Sequence, residues 1–285
     1  MPRHRSTTYD GRARLIRSQK PVPGARHRGA RPSAGSTRTR PAGRHIAAFA
    51  SDLDRTLLRP HGRPTDAGRS ALREARASGL RTLLVSGREY AELLPFVRRF
   101  GSLDGIVAEN GAVVEAPLGT TPVIVGRTVA AEIRRRVREI SGVRARFGRV
   151  VASVPLPERA RLTESLRGLP VRLIANVDRL MALPDGVDKG TGIHRALRRL
   201  GLGQGGYAAI GDAENDLDLL RGAELSGAVR NAEAIVRATV DYECRRSFSD
   251  GVLEFVRGPL AARMLHDPHA PGSSGALPGP GRAPR

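Results

Sequence analysis

The chain has 285 residues, with 48 Lys and Arg against 28 Asp and Glu, one cysteine and no tryptophan. A hydrophobic content of 40% supports a folded core and excludes a wholly disordered chain. No run approaches the ~18 apolar residues of a transmembrane helix, and the N-terminus lacks the apolar stretch of a secretory signal. Cys244 alone excludes an intramolecular disulfide framework, and a reducing, cytoplasmic compartment is expected.

Much of the net charge of +20 lies in an N-terminal tail. Residues 1–44 hold eleven arginines and Lys20 against Asp10 alone, with scarcely any apolar periodicity, which predicts disorder. We interpret this segment as a dispensable tail. Binding of nucleic acid or another polyanion, a transit-like leader and an over-extended gene start are the alternatives. Residues 266–285, with five prolines and four glycines, are predicted to form a second loose end.

Between the tails, short apolar runs alternate with helical segments. The predicted elements are a strand at 45–51, a helix at 66–78 capped by Thr65, a strand at 81–85, a helix at 89–100 bent or split at Pro95, a strand at 105–108, a helix at 190–200, a strand at 206–210 and a helix at 216–222. This alternation predicts an α/β fold with a parallel sheet and helices on both faces. Ligands bind such sheets beyond the carboxyl ends of the strands.

The stretch between about 113 and 185 departs from this alternation of single strands and helices. Its predicted elements are strands at 123–125, 143–147, 150–154, 171–175 and 179–183 and helices at 128–140 and 158–167. They predict an α+β insertion with antiparallel pairing. The expected domains are a core of residues 45–112 and 186–265 and a second, smaller domain of residues 113–185 over the carboxyl edge of the core sheet.

The first segment that could carry chemistry is Asp52-Leu53-Asp54-Arg55-Thr56, directly after the first predicted strand. Carboxylates at positions i and i+2 point to the same side of an extended chain, and such close charges need a cation or a proton between them. The segment therefore indicates an acidic functional site, with an ordinary capped turn as the alternative.

The second segment is Ser86-Gly87-Arg88, which follows the predicted strand at 81–85. A small hydroxyl residue before glycine lets backbone N–H groups face an anion at the start of a helix. A simple helix cap is the competing interpretation.

The third segment, Asp188-Lys189-Gly190, precedes a predicted helix and contains the only lysine outside the tail, in a chain with 46 arginines. A compact ammonium on a flexible stem fits phosphate in a tight site where a planar guanidinium would not. A lysine kept at the surface by chance is the alternative.

The fourth segment is Gly211-Asp212-Ala213-Glu214-Asn215-Asp216, after the strand at 206–210. Two carboxylates four residues apart, with an amide between them, supply hard oxygen ligands suited to Mg²⁺. An acidic helix N-terminus is the competing interpretation. Because all four segments lie at strand ends or helix starts, together they indicate one site.

DLDRT, SGR, DKG and GDAEND, in this order, resemble the four motifs of the haloacid dehalogenase (HAD) superfamily of phosphohydrolases. The insertion lies between the second and third motifs, where the class II cap of that superfamily sits. The stretch DGIVAENGAVV (104–114), Asn231-Ala232 and Asp250-Gly251-Val252 resemble the class IIB, Cof-like branch. The resemblance covers residues 45–257, roughly, and implies a Rossmann-like core with an inserted α+β cap.

The resemblance also implies a mechanism, in which Asp52 attacks phosphorus and Asp54 is the acid–base residue. The implied Mg²⁺ ligands are Asp52, the backbone carbonyl of Asp54 and Asp212, supported by Asn215 and Asp216. The implied phosphate-binding residues are Thr56, Ser86, Gly87 and Lys189. We expect further substrate contacts from Arg55, Arg88 and Asn110.

One position departs from the family pattern, because Arg55 stands where the family most often has glycine. This puts the shape of the substrate pocket in question more than the chemistry. The expected activity is Mg²⁺-dependent hydrolysis of a small phosphorylated metabolite, a sugar phosphate or a phosphoglycolate-like compound, with a phosphomutase of the same superfamily as the alternative. A nucleic-acid-binding protein acting through residues 1–44 is the alternative from another class, although ten aromatic residues leave little for base stacking.

Overall fold

The computed structural model describes residues 44–60, 62–176, 178–203 and 205–266, so the two predicted tails, apart from Arg44 and His266, lie outside the described residues. The described strands are β1 (Ile46–Asp52), β2 (Arg81–Val85), β3 (Gly105–Ala108), β4 (Val113–Glu115), β5 (Val123–Ile124), β6 (Arg146–Phe147), β7 (Ala152–Pro155), β8 (Val171–Asn176), β9 (Arg179–Pro184), β10 (Gly206–Gly211), β11 (Leu225–Ala228) and β12 (Tyr242–Glu243).

The described α-helices are α1 (Asp66–Ala77), α2 (Tyr90–Phe100), α3 (Arg127–Arg138), α4 (Arg159–Ser165), α5 (Lys189–Arg199), α6 (Leu217–Arg221), α7 (Ala234–Thr239), α8 (Phe248–Phe255) and α9 (Ala261–Leu265). Short 3₁₀ turns occur at Glu109–Gly111, Leu156–Glu158 and Glu214–Asp216, and a π-helical segment at Val256–Leu260 joins α8 to α9. In this part of the chain, no helix has both the length and the apolar content needed to cross a bilayer.

Eight strands form the larger sheet, in the order β12-β11-β10-β1-β2-β3-β4-β5. The strands from β12 to β3 are parallel, and β4 and β5 extend the sheet antiparallel. The register pairs Ser51 with Ile210 and Asp52 with Val85. The turns after β1, β2 and β10 therefore leave the sheet at one edge, and the predicted α/β class is confirmed.

β1 lies inside this sheet as a continuous apolar run rather than an alternating pattern. Phe49 and Ala50 are fully buried, and so is Ser51. Because consecutive residues of a strand point to opposite faces, both faces of β1 are covered. The central strand thus gives a rigid base to the loop that begins at Asp52.

Two helices at the start of the chain illustrate local sequence effects. Thr65 caps α1 as predicted, since its side chain accepts a hydrogen bond from the Gly68 N–H at 3.1 Å. Of the bend or split expected at Pro95, the split is not found, because α2 runs as one helix across that residue. Its apolar face, which includes Leu93 and Phe100, is buried in the core and outweighs the hydrogen bond lost at proline.

The remaining strands form a second, antiparallel sheet in the order β6-β7-β9-β8. Together with α3 and α4 it encloses a separate apolar cluster that includes Ile133, Leu162 and Leu180. β4 and β5 differ from the prediction, because we assigned their residues to the insertion, whereas β4 pairs with β3 and β5 with β4 in the larger sheet. Both sheets belong to one compact unit of the chain, and the division into a core and a cap domain stays a prediction.

Helix α5 approaches the turn after β3 at a glycine. Gly111 has a φ of +98°, and a Cβ built there would lie 1.9 Å from the carbonyl oxygen of Asp188. From the other side, a Cβ on Gly192 would lie 2.6 Å from the Cα of Gly111. The missing side chains let the N-terminus of α5, which begins at Lys189, lie against the carboxyl end of β3.

Replacing Gly111 with alanine should therefore be far more damaging than the same change at a glycine in open space. Gly119 also has a positive φ, +84°, but a Cβ there would meet nothing within 4 Å. We expect Gly119→Ala to cost about 1–2 kcal/mol for its left-handed backbone. Gly111→Ala should lower the free energy of unfolding by at least ~2 kcal/mol more, because backbone must move. Urea denaturation of both variants is the measurement, and equal losses would contradict the close-contact argument.

Candidate active site

The ammonium of Lys189 lies between two carboxylates at the carboxyl edge of the larger sheet. Its Nζ donates to Oδ1 of Asp52 at 2.7 Å and to Oδ1 of Asp216 at 2.6 Å. The lysine is 1% exposed and Asp216 is fully buried, so water does not screen these ion pairs. Burial opposes the charge on Lys189, but the two carboxylates outweigh it and raise the pKa of the lysine well above its usual value.

The carboxylates around this ammonium outnumber it. Burial and the charge of Asp216 raise the pKa of Asp52 well above its usual value, despite the nearby Lys189. Burial and Asp216 also raise the pKa of Asp212 to about 7, against the opposing effect of Arg55. The site therefore holds more negative charge than its own cations balance.

This excess of carboxylate oxygen fits a divalent cation. Oxygens of Asp52, Asp212 and Asp216 lie within 4.8 Å of one another. Oδ2 of Asp212 is buried without a hydrogen-bond partner, although Nε of Arg55 lies 3.4 Å away as an ion-pair contact. Buried polar atoms are rarely left unsatisfied. Hard oxygen donors with one unsatisfied atom suit an ion such as Mg²⁺.

Asp216 forms hydrogen bonds that hold the loop after β10 and the ammonium of Lys189 in place. Its Oδ2 accepts hydrogen bonds from the backbone N–H groups of Asp212 at 3.0 Å and Ala213 at 3.1 Å, and its Oδ1 accepts from Lys189. A Cβ on Gly211 would lie 2.7 Å from the Asp216 carboxyl carbon, so glycine lets this carboxylate pack over the end of β10. With both oxygens engaged, Asp216 fixes the loop and the lysine.

Two residues predicted to bind phosphate have hydroxyl groups that contact protein. Thr56 is buried, and its Oγ1 donates to Oδ1 of Asp212 at 3.1 Å. Ser86 is also buried, and its Oγ accepts the N–H of Arg88 at 3.1 Å. Gly87, which follows Ser86 in the predicted set, lines both cavities described below.

Arg88 was predicted to contact substrate, and the structure pairs it with Asp54. Nε of Arg88 donates to Oδ2 of Asp54 at 2.7 Å, and Nη2 donates to Oδ1 at 2.6 Å. These hydrogen bonds raise the pKa of Arg88. The guanidinium also lies over the ring of Phe96, 5.0 Å from its centroid.

The backbone conformation at Arg55 gives a physical reason for the glycine that the family pattern has at this position. Its φ is +60°, in the left-handed region that side chains disfavour. The carbonyl oxygen of Arg55 accepts a hydrogen bond from Nδ2 of Asn231 at 2.7 Å, and Oδ1 of Asn231 accepts the N–H of Phe248 at 2.8 Å. Asn231 was not predicted as a site residue, and its only sequence signal was the Asn-Ala pair.

Asn110, another predicted substrate contact, is buried. Its Oδ1 accepts a hydrogen bond from Nδ2 of Asn215 at 3.2 Å, and its Nδ2 lies 3.4 Å from Sδ of Met181 in the second sheet. Asn110 and Asn215 therefore meet, which ties the turn after β3 to the loop after β10.

Glu109 is a structural residue that sequence reasoning missed. It is fully buried, and its carboxylate accepts the backbone N–H groups of Arg149 at 2.8 Å, Val150 at 2.8 Å and Val151 at 3.0 Å. A Cβ on Gly148 would lie 2.5 Å from this carboxyl group. The larger sheet thus holds the loop between β6 and β7 through one side chain.

Two adjoining cavities lie over these groups. The smaller, about 180 Å³, is lined by residues that include Asp52, Lys189 and Asp212. The larger, about 350 Å³, receives Arg146 and Arg179 from the second sheet. Both cavities share Asp54, Arg55 and Gly87. The arginines of the second sheet were not predicted, because the sequence does not reveal which insertion residues face the site.

Comparison with known proteins agrees with this geometry. A sequence model of the haloacid dehalogenase-like hydrolases matches residues 49–127 and 176–256. A phosphoglycolate phosphatase of Methanoculleus marisnigri is 26% identical over 224 residues, covering 74% of this chain and 96% of the relative. A phosphoglycolate phosphatase of Metallosphaera sedula is 30% identical over 222 residues, covering 74% of this chain and 97% of the relative.

The fold is shared with solved structures. The crystal structure of a Thermoplasma acidophilum protein superposes with a TM-score of 0.65 at 14% identity, covering 75% of this chain and 97% of that chain. The sequence matches extend over both parts of the larger sheet that flank the second sheet. The chain therefore belongs to the haloacid dehalogenase-like hydrolases and is, as the order of its motifs predicted, a phosphohydrolase of the HAD superfamily.

Proposed function

We propose that this protein is a Mg²⁺-dependent phosphatase that hydrolyses a small phosphorylated metabolite through an aspartyl-phosphate. The observation that carries the proposal is the buried ammonium of Lys189, held 2.7 Å from Oδ1 of Asp52 where both residues line the smaller cavity. A charged lysine beside a carboxylate can hold the oxygens of a phosphoryl group while that carboxylate attacks phosphorus.

Asp52 and Asp212 would hold the metal ion, with the backbone carbonyl of Asp54, and Asp216 and Asn215 would support them. When bound, the ion offsets the repulsion between the attacking carboxylate and the phosphate dianion. The unsatisfied Oδ2 of Asp212 supports this assignment. Thr56, which donates to the other oxygen of Asp212, would orient that carboxylate.

The proposed reaction has two steps on this chain's own residues. In the first, an oxygen of Asp52 forms a bond to phosphorus as the bond to the leaving oxygen breaks, and Asp54 gives that oxygen a proton. In the second, Asp54 takes a proton from water, which attacks phosphorus and releases Asp52. Lys189, Ser86 and the backbone at Gly87 would stabilise the charge on the phosphoryl oxygens.

The substrate is proposed from the relatives, which are named phosphoglycolate phosphatases. Phosphoglycolate is therefore the first compound to test, and sugar phosphates are the second class. The larger cavity, with Arg146 and Arg179 from the second sheet, would receive the leaving group. The second sheet would act as the cap that excludes water and selects that group.

Replacement of Asp52 by asparagine tests the proposal directly. A neutral amide is a poor nucleophile and a weaker metal ligand, so phosphate release from phosphoglycolate should fall by on the order of 10³-fold or more. Asp66→Asn, at an exposed carboxylate of α1, is the control and should keep full activity. Near-wild-type release by a folded Asp52→Asn variant, checked by circular dichroism, would sink the proposal.

Lys189→Arg should be damaging although it keeps the charge. Both partner oxygens lie within 2.7 Å of Nζ, and the lysine is almost fully buried, so a longer, planar guanidinium would not fit in the place of the ammonium. The adjacent Gly190 also packs closely, since a Cβ built there would lie 2.7 Å from the carbonyl oxygen of Asp218. We expect kcat/KM to fall on the order of 100-fold.

The comparison for this change includes Lys189→Ala and Lys20→Arg, the second at the only other lysine of the chain. Lys20→Arg should be silent. Full activity in Lys189→Arg beside an inactive Lys189→Ala would show that positive charge alone suffices and that compactness is irrelevant.

The stabilisation by Mg²⁺ should grow with pH. The raised pKa values of Asp52 and Asp212 mean that the metal-free folded state binds more protons than the unfolded chain, so its stability falls as pH rises toward 7. A metal ion displaces those protons, and its affinity therefore rises up to the pKa of Asp212, about 7. The gain in Tm on adding Mg²⁺ should be larger at pH ~8 than at pH ~5.5, and Asp212→Asn should remove most of it. Equal gains at both pH values would contradict the assignment.

A further inference from the structure

We propose that Arg88 is a positioning residue, which holds the Asp54 carboxylate in the orientation needed to protonate the leaving oxygen; this role rests on the proposed phosphatase function. Arg88 and Asp54 form a bidentate ion pair, called the fork below, with N···O distances of 2.7 and 2.6 Å. Such a fork fixes the plane of the carboxylate as well as its position. Among the described residues, no other group donates a hydrogen bond to this carboxylate.

Arg88 is itself held at four points. Its N–H donates to Oγ of Ser86 at 3.1 Å, and its carbonyl oxygen accepts the N–H of Glu109 at 2.9 Å. Its guanidinium lies over Phe96 and pairs with Asp54. The arginine therefore connects the acid–base carboxylate to the ends of β2 and β3, and through Glu109 to the loop before β7.

The acid–base step explains why Asp54 needs such a partner. The carboxylate follows β1 in a turn, is 30% exposed, and lines both cavities. Without Arg88, no hydrogen bond from a described residue would fix the orientation of this carboxylate at the junction of the cavities. To act as the acid, Asp54 must first carry a proton, which it would take from solvent on the oxygen that Arg88 releases while the other hydrogen bond keeps the group aligned. That proton passes to the leaving oxygen, and Asp54 regains a proton from the attacking water in the second step.

A direct contact between Arg88 and the substrate would predict a different result. A residue that binds the phosphoryl group or the leaving group acts on every substrate in that position. A residue that acts through Asp54 matters only where the leaving oxygen needs a proton. An alkyl phosphate such as phosphoglycolate needs it, whereas p-nitrophenyl phosphate and acetyl phosphate release stable anions without one.

The test is kcat/KM of Arg88→Gln on phosphoglycolate, or the best alkyl phosphate, and on p-nitrophenyl phosphate. This ratio covers the steps up to departure of the leaving group and excludes the later hydrolysis of the aspartyl-phosphate. We expect a loss on the order of 30-fold or more for the alkyl phosphate, and a loss at least tenfold smaller for the activated one. Arg88→Lys keeps the charge without the fork and should show the same selectivity with a smaller loss.

Double substitution separates action through Asp54 from any independent effect. Asp54→Asn should show the same preference for the activated substrate, and adding Arg88→Gln to it should change kcat/KM less than about twofold. The matched control is Arg257→Gln, because Arg257 forms a similar fork with Glu74, at 2.8 and 2.7 Å, and lines neither cavity. It should leave both rates unchanged.

Each outcome decides the role of Arg88. Equal losses on both substrates, or a full Arg88→Gln effect in the Asp54→Asn background, would overturn it. If Arg88→Gln fails to fold, the selectivity of Arg88→Lys gives the answer. Absence of phosphate release from every ester by the wild-type protein would instead refute the proposed function, a result that is independent of the comparison between variants.

Discussion

The buried ammonium of Lys189 is the constraint around which the rest of the site is arranged. A charge with 1% exposure is stable only when nearby carboxylates repay its lost hydration. Those carboxylates come from separate places, Asp52 at the end of β1 and Asp216 after β10, while the lysine begins α5. Three elements must therefore meet within hydrogen-bond distance, which the glycine contact between α5 and the turn after β3 permits.

This arrangement leaves negative charge in excess. Asp52, Asp212 and Asp216 are all buried, whereas the cations that reach them are Lys189 and the half-exposed Arg55. Removing water strengthens the repulsion between the carboxylates, and this is why the pKa values of Asp52 and Asp212 rise. The same three carboxylates could hold either protons or a divalent ion, because each would reduce the repulsion between them.

The alternation of strands and helices was enough to predict the parallel sheet, and parallel topology then brings Asp52, Gly87 and Asp212 to one edge. Lys189 was predicted as a site residue from its rarity in an arginine-rich chain, and the structure places it beside Asp52 and Asp216. The partner of Arg88 was not predictable, because motif order does not say which hydrogen bonds form between motifs. The role of Glu109 was not predicted, because it accepts hydrogen bonds from backbone N–H groups, and these do not depend on residue type. Likewise, a strand pattern does not reveal the sheet it joins, as β4 and β5 show.

Arg55 combines an unfavourable backbone conformation with a positive charge beside the carboxylates of the site. Its left-handed backbone costs about 1–2 kcal/mol relative to glycine. In this conformation the guanidinium of Arg55 lies 3.4 Å from Oδ2 of Asp212 and 3.4 Å from the carbonyl oxygen of Asn231. The side chain of Asn231 in turn donates a hydrogen bond to the backbone carbonyl oxygen of Arg55. Because Arg55 lines both cavities, it adds positive charge at their junction without displacing Asp52 or Lys189. The departure from glycine therefore changes the electrostatics of the passage between the two cavities and leaves the buried ion pairs intact.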